Sequence, residues 1–443
     1  MSSHATVFDR KMQYKSDCYE YLRLTHVLAI CWGMPITRRR TTDNVKRDRD
    51  LADEHDGYRY SFDQRVVPVW LAYAALDAFL LYYNYLEASG YVGESLRKCF
   101  EDSYCFAVIE LANRNLGPFS ALVCTMFYGH RHKAAALAGT ERTLAFIRDT
   151  DRDATHSGSV WPPDSRYYSA AVIAAYSLCI WLYAAAVPAA VLLVIWLNAL
   201  GQTTVYGLAT FQYHVLGHGY ARVNRLLEAA ANSGGQPSSD FRSLAALLDR
   251  LADACDDFGR QVGHLNVAYT PGLLLRWPYS MIRLTMVVFR ISELWVASQD
   301  GRPFAHVAAV LIVEHVGEIL LFLVQLSSFC YAGTRLSYQA RISTMISPKT
   351  NFLLPAQNTT ASLQKLKLCR RPSVYLNSDV KKKVNIFLIQ VNARKVNATI
   401  GGFVIVNMNL MKAICGIIVT YFLVLIQFKI QKGKSKPLHH IWN

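Results

Sequence analysis

Two polar residues stand near the end of the last apolar segment of the chain, Thr420 and Gln427. A glutamine in hydrocarbon is costly unless it faces protein or water. Residues seven apart on a helix return to nearly the same face, so Thr420 and Gln427 share a stripe with Val424, while Tyr421 and Phe428 form the adjacent stripe. A polar edge beside an aromatic edge suits a helix that lines a pore. A span whose glutamine only hydrogen-bonds a neighbouring helix would have the same pattern, and the spacing favours neither.

Charged residues inside two other apolar segments form a second set of candidates. Arg290 lies about eight residues from the outer end of its predicted helix and Glu314 about ten from its own, which puts both roughly 12–15 Å deep on neighbouring helices. We expect them to form an ion pair that stabilises the bundle. The alternative is that Glu314 and Glu318, one turn apart, line a ligand pocket. Trp181 and Tyr279 would then supply aromatic walls, although anchoring at the membrane interface explains most such residues.

His214 and His218 have the i, i+4 spacing of zinc and di-iron sites. No glutamate follows His214 as a metalloprotease would require, and no further histidine box is present. The ten cysteines are scattered without a CxxC motif. We therefore predict neither a metal site nor a cofactor, and we expect the two histidines to cap the cytoplasmic end of a membrane span.

The composition is typical of a membrane protein with several spans and sizeable polar loops. Of the 443 residues, 52% are hydrophobic and only 18% are charged, against about 25% charged in soluble domains. The net charge is +15, but the basic residues cluster between the apolar segments. Membrane orientation explains that distribution better than nucleic-acid binding does, so we predict no nucleic-acid partner.

Seven segments reach the length of about 20 mainly apolar residues that a bilayer-crossing helix needs. They are Val67–Leu86, Tyr104–Tyr128, Tyr168–Val187, Ala189–Phe211, Leu275–Ala297, Phe304–Ala332 and Gly402–Phe428. Pro188 is the predicted break between the third and the fourth. An eighth, interrupted stretch, Leu22–Ile36, is interpreted as a short membrane-associated helix, with a full span as the alternative. The predicted fold class is an all-α membrane protein with seven transmembrane helices.

The distribution of positive charge predicts the orientation. Residues 1–66 hold twelve lysines and arginines, and residues 332–401 hold another twelve against one acidic residue. By the positive-inside rule both segments are cytoplasmic, which puts the N-terminus inside and the C-terminus outside. The four lysines of the tail, residues 429–443, disagree with this orientation. A G-protein-coupled receptor has the opposite orientation.

The loops differ in character. Within the cytoplasmic loop 212–274, a series of apolar residues falls on one helical face, which predicts helices that extend spans four and five below the membrane. The series is Leu244, Leu247, Leu248, Leu251, Ala254 and Phe258. Residues 233–239, SGGQPSS, should separate the two helices as a loop. The cytoplasmic loop 333–401 should be partly disordered, mainly over 346–380, with a helix before span seven.

The end of the chain resembles the insect gustatory receptor family. The resemblance rests on the Thr-Tyr pair, five apolar residues and the Gln-Phe pair of the last segment, together with Ile386–Gln390, Gly401-Gly402-Phe403 and Asn407 upstream. It is sharp over about residues 384–428. It implies a homotetrameric cation channel whose last helix, residues 402–428, lines a central pore. Spans one to six, within residues 67–332, would then hold the ligand.

That resemblance also implies roles for single residues. Gln427 would lie at or beside the gate, and Thr420, Tyr421 and Phe428 would line or pack the pore helix. Sugar-sensing members often have a glutamate after the Thr-Tyr pair, whereas this chain has Phe422, which argues weakly against a sweet-taste receptor.

The sequence therefore predicts a tastant-gated, non-selective cation channel rather than an enzyme. Its partners would be a small-molecule tastant, membrane lipids and further copies of the chain, or other gustatory receptors in a heteromer. It would work in the plasma membrane of a gustatory neuron dendrite. The alternatives are a G-protein-coupled receptor, opposed by orientation, and a membrane-embedded metal enzyme resting on His214 and His218, which the missing histidine boxes nearly exclude.

Overall fold

The computed structural model describes the larger part of the chain. It covers residues 130–152, 189–233, 241–299, 305–340, 378–393 and 396–434, together with parts of 23–40 and 58–86. Predictions for Tyr104–Tyr128, for nearly all of Tyr168–Val187 and for most of 346–380 lie outside these residues.

The described residues are mainly helical. The helices are α1 (His130–Arg152), α2 (Ala189–Ser233), α3 (Phe241–Gln299), α4 (Ala305–Ala340), α5 (Ser378–Ala393) and α6 (Met408–Lys434). The strands are β1 (Ile36–Arg40), β2 (Tyr58–Phe62), β3 (Thr399–Ile400) and β4 (Val404–Ile405), paired as two antiparallel hairpins. The described residues between 67 and 86 are also helical. None of the described helices is both long enough and apolar enough to cross a membrane.

Two helices are far longer than a predicted span. α2 runs without interruption for 45 residues and α3 for 59 residues. α2 starts directly after Pro188, the predicted break between spans three and four. α2 ends at Ser233 and α3 begins at Phe241, so the two helices are separated at the predicted SGGQPSS loop. The segments predicted as helical within residues 212–274 are thus helical, and each is continuous with the helix that contains a predicted span. α3 also contains Pro271 and Pro278.

The apolar face predicted for the start of α3 faces the core. Leu248, Leu251 and Phe258 are buried there, and the Phe258 ring packs edge-on against Phe146 of α1 and Tyr220 of α2. The ring centroids lie 5.6 Å and 5.3 Å apart, within the range that favours edge-to-face pairs. Residues of α2, α3, α4, α5 and α6 join in one hydrophobic cluster. The helical period alone therefore identified which face of α3 is buried.

The β1–β2 hairpin near the N-terminus was not predicted. Ile36, placed by the sequence at the end of a short helix, is the first residue of β1. Arg38 pairs with Glu141 of α1, and the Tyr60 hydroxyl of β2 donates a 3.0 Å hydrogen bond to the same carboxylate. Glu141 thereby compensates the charge of Arg38, one of the basic residues that the sequence analysis assigned to a cytoplasmic segment. The hairpin covers a second, smaller apolar cluster with α1 and α2.

The start of the last helix also differs from the prediction. α6 begins at Met408 rather than at Gly402, and it continues past Phe428 to Lys434. Gly401 and Gly402 have φ of +65° and +79°, which other residues adopt only with strain, and they turn the chain between β3 and β4. Asn407 then caps the helix, because its side-chain oxygen accepts a 3.0 Å hydrogen bond from the Leu410 N–H.

Candidate functional site

The candidate site begins with the exposed surface of α6. The helix buries Ile414 and Ile418, one turn apart, against the core. Thr420, Val424 and Gln427 occupy another face and are exposed, and the Thr420 hydroxyl donates a hydrogen bond back to the Gly416 carbonyl. The stripe predicted from the sequence is therefore accessible on a single chain.

The rest of the exposed surface of α6 is apolar. Tyr421 is 62% exposed, and Ile417, Val419 and Leu423 are exposed as well. Several exposed apolar side chains on one helix indicate contact with another protein or with lipid. The side chain of Phe428 lies outside the described residues. A helix with one face in the core, one apolar face uncovered and one polar stripe can line an aqueous space once other helices cover the apolar face.

The β3–β4 hairpin attaches the base of α6 to α3 and, through α3, to α2. The Asn266 side-chain oxygen on α3 accepts hydrogen bonds from the Tyr213 hydroxyl of α2 at 2.8 Å and from the Thr399 N–H of β3 at 3.0 Å. The Asn266 amide nitrogen donates to the Asn397 carbonyl at 3.0 Å. One side chain thereby joins α2, α3 and the hairpin that precedes α6.

A second set of contacts joins the hairpin and α6 to α3 and α4. The Thr270 hydroxyl of α3 accepts a 2.9 Å hydrogen bond from the Gly401 N–H at the turn. The Thr334 hydroxyl of α4 accepts one of 2.9 Å from the Met408 N–H, a donor that no turn of α6 can satisfy. Displacement of α3 or α4 must therefore move the base of α6.

The histidine pair lies inside α2, not at its end. α2 continues to Ser233, so the predicted capping role for His214 and His218 is wrong. The two rings pack edge-on with centroids 4.9 Å apart, and Arg335 of α4 faces both. Burial, together with the positive charge of Arg335, lowers the pKa of His214 to about 4 and that of His218 to about 3. Both imidazoles are therefore neutral at physiological pH.

Acid should destabilise the fold through its buried histidines. His26, His214 and His218 all have a lowered pKa, mainly because of burial, and the pKa of His26 falls to about 4. The unfolded chain binds these protons below about pH 6.5, whereas the folded chain does not. The free energy of unfolding should thus decrease as the pH falls below about 6.5, by at most about 1.4 kcal/mol per pH unit for each histidine. The decrease should end near pH 4 for His26 and His214 and near pH 3 for His218.

Thermal unfolding of the purified chain between about pH 7.5 and pH 5 checks this dependence. His26→Gln keeps a side chain that can donate toward the Ile36 carbonyl, which His26 contacts at 2.9 Å, but it cannot bind the proton. The variant should lose less stability on acidification than the parent chain. Identical pH profiles for the two would contradict this role of His26.

The proposed charged and aromatic residues of the pocket are only partly located. Tyr279 and Arg290 lie in α3 and Glu314 and Glu318 in α4, but their side chains lie outside the described residues, as does the whole of Trp181. The Arg290–Glu314 ion pair and the pocket thus stay predictions. Among the described residues no three metal ligands come together.

Sequence reasoning missed Asn266, Thr270, Gly333 and Thr334. Each is a single small or polar residue in a helix, with no motif around it. Only the Gly401-Gly402 pair, which is part of the family resemblance, indicated that the segment before α6 differs from an ordinary helix.

Comparison with known proteins gives one family and one fold. The sequence profile of the family described as 7tm Chemosensory receptor matches residues 69–432. No curated protein matches the chain by sequence. Among solved structures, the olfactory receptor OR5 of Machilis hrabei in complex with eugenol aligns over 92% of this chain and 97% of its own, with a TM-score of 0.54 and 11% identity. A second structure of the same receptor aligns over 94% of this chain and 99% of its own, with a TM-score of 0.50 and 10% identity.

Proposed function

Because the chain belongs to the 7tm chemosensory receptor family, we propose that it is a ligand-gated, non-selective cation channel of taste neurons. The family assignment agrees with the resemblance that the last segment indicates. The proposed channel has seven membrane spans, a cytoplasmic N-terminus and an extracellular C-terminus. It lies in the plasma membrane of a gustatory dendrite. The apolar segments and the positive charge between them support it.

The observation that carries the proposal is the uncovered surface of α6. Thr420 and Gln427, with Val424 between them, form an exposed stripe that carries two polar side chains, beside exposed apolar side chains that include Tyr421. If several copies surround one axis, the apolar faces cover each other and the polar stripes face the axis. Symmetric closure of identical subunits is the common solution for such a surface. We propose a homotetramer, with other receptors of the family as possible replacements for some subunits.

The contacts at the base of α6 suggest how a ligand would open the pore. A small molecule bound among the spans, near Glu314, Glu318, Trp181 and Tyr279 in our proposal, shifts the population toward the state that binds it more tightly. α3 carries Asn266 and Thr270, which hold the hairpin before α6. Rearrangement of α3 is thereby passed to the pore helix, and no side chain performs covalent chemistry.

Taste is preferred over smell because of the sequence of the last helix. The structural likeness to olfactory receptors is at 11% identity and reflects the fold alone. The Thr420-Tyr421 and Gln427-Phe428 pairs resemble the C-terminal signature of insect gustatory receptors. Phe422, where sugar-sensing members often have a glutamate, argues weakly against a sweet-taste ligand.

Electrophysiology on the expressed chain with a panel of tastants tests the function. Gln427→Ala removes the amide at the proposed gate, so conductance, rectification or ligand-gated open probability should change. Gln64→Ala removes the same group from an exposed position before the first apolar segment and should leave the currents unchanged.

Two results would contradict the proposal. If Gln427→Ala matches the parent chain in conductance, rectification and ligand-gated open probability, this would count against α6 as the pore helix. An N-terminal tag accessible on intact cells would reverse the orientation and favour a G-protein-coupled receptor.

A further inference from the structure

Three basic side chains meet where α2 crosses α4. The Arg335 guanidinium lies 3.4 Å from the His214 Nε2 atom and 3.4 Å from the His218 Nδ1 atom. Arg225, about two helical turns beyond His218 on α2, is close enough to act electrostatically on Arg335 and on His218. We call His214, His218, Arg225 and Arg335 the basic cluster.

The hydrogen bonds of the cluster fix where its protons are. A guanidinium only donates, so His214 accepts at Nε2 and His218 accepts at Nδ1. The proton of neutral His218 is then on Nε2, and that atom is buried without a hydrogen-bond partner among the described residues. The Arg335 Nε–H is buried and unpartnered in the same way. His218 is only 6% exposed, so water does not readily replace a missing acceptor.

Within the described part of the chain, no acidic side chain forms an ion pair with Arg335. The pKa of its guanidinium is lowered mainly by burial; Tyr331 raises it, and the positive charge of Arg225 lowers it. A half-buried guanidinium beside a second arginine is costly unless an anion is bound. Two unsatisfied N–H donors and one uncompensated positive charge call for a ligand with several anionic oxygens.

The position of the cluster indicates where that ligand comes from. His214 lies three residues beyond Phe211 and Arg335 three residues beyond Ala332, the predicted cytoplasmic ends of spans four and six. At 1.5 Å per residue, the cluster is about 4.5 Å outside the hydrocarbon, at the depth of lipid phosphates. Tyr331, 44% exposed, lies beside His214 with ring centroids 6.3 Å apart, as an aromatic residue of the interface would.

We propose that the basic cluster binds the phosphate of an anionic lipid headgroup at the cytoplasmic face. The Arg335 guanidinium and the His218 Nε2–H donate to phosphate oxygens, and Arg225 adds positive charge. Guanidinium and phosphate have matching fork geometry. The site joins α2 to α4, so an occupied site holds α2 against the helix whose Thr334 contacts the base of α6. The lipid source, unlike the phosphate chemistry, rests on the membrane arrangement proposed above.

Binding is measured as a shift in unfolding temperature of the full chain, purified in an uncharged detergent. The probes are dioctanoyl phosphatidylinositol 4-phosphate, dioctanoyl phosphatidylcholine, inositol 1,4-bisphosphate and inorganic phosphate. We expect a saturable rise with the phosphoinositide and none with phosphatidylcholine. Arg335→Gln should weaken the apparent affinity at least tenfold.

The matched control is Arg260→Gln, which removes an arginine whose side chain is 59% exposed on α3 and contacts only neighbouring acids of its own helix. It should bind the phosphoinositide as the parent chain does. If Arg335→Gln does not fold, His218→Phe is compared with Arg260→Gln instead, and we again expect weaker binding of the phosphoinositide.

Several results would overturn the proposal. Absence of a shift, or equal shifts in Arg335→Gln and Arg260→Gln, would exclude phosphate binding at the cluster. Equal affinity for inositol 1,4-bisphosphate or inorganic phosphate would keep the phosphate site and reject the lipid source. The experiment measures binding in detergent and does not depend on ligand-gated currents. The lipid-binding proposal can therefore be rejected or supported independently of the proposed channel function.

Discussion

Replacing Gly333 with alanine should destabilise the packing of α4 against the base of α6 by about 3 kcal/mol, the upper part of the usual range for overpacking. A Cβ at Gly333 would lie less than 3.0 Å from the backbone carbonyl oxygen of Val406, closer than real Cβ contacts come. A backbone atom cannot rotate away as a side chain can. The residue after β4 must therefore move, and the Thr334 bond to the Met408 N–H would move with it.

Thermal unfolding and size-exclusion behaviour of the purified variant measure this effect. Gly263→Ala is the matched control, because a Cβ there would meet nothing within 4 Å. Gly263 is exposed within α3, where alanine is the better helix former by roughly 0.5–1 kcal/mol, so the control should be slightly stabilised. Equal behaviour of the two variants would mean that the close approach of Gly333 to Val406 is not formed.

Asn266→Ala should produce the second large effect. It leaves the Tyr213 hydroxyl, the Thr399 N–H and the Asn397 carbonyl without their partner. Tyr213 is 1% exposed, so its hydroxyl has no access to bulk water. At about 1–3 kcal/mol for each buried group left unsatisfied, a total loss of about 3 kcal/mol is expected, together with altered gating.

Tyr213→Phe separates the bond to α2 from the bonds to the hairpin. It removes one donor, and Asn266 still accepts from Thr399, so the cost should be about 1 kcal/mol. Unfolding temperature gives the stability, and dose–response curves of ligand-gated current give the gating. A Tyr213→Phe variant as damaged as Asn266→Ala would show that the hairpin bonds contribute little.

The long helices were predictable because their signal is local. Leu248, Leu251 and Phe258 repeat at the helical period, and a run of glycine, proline and serine marks where the helix pair is interrupted. The β1–β2 hairpin was not predictable in the same way. Arg38 and its neighbours look like a basic cytoplasmic segment until Glu141, about a hundred residues later, supplies a partner. No local pattern contains that information.

The candidate site was partly predictable for a related reason. The spacing of Thr420, Val424 and Gln427 placed them on one face of a helix, and the structure leaves that face exposed. The attachment of the same helix depends on Asn266 and Thr399, which are 133 positions apart. A single asparagine in a helix is not informative by itself, so this connection emerges only from the fold.

The length of α3 has a mechanical consequence. Its 59 residues make it roughly 88 Å long, nearly three times the thickness of a bilayer core of about 30 Å. Pro271 and Pro278 each remove a backbone donor, so the carbonyls of Val267 and Leu274 lose their regular partners. Bending of α3 therefore costs least near these prolines. Asn266 and Thr270 lie just before Pro271 and hold the β3–β4 hairpin, so a bend of α3 at this point would displace the hairpin and, with it, the base of the last helix.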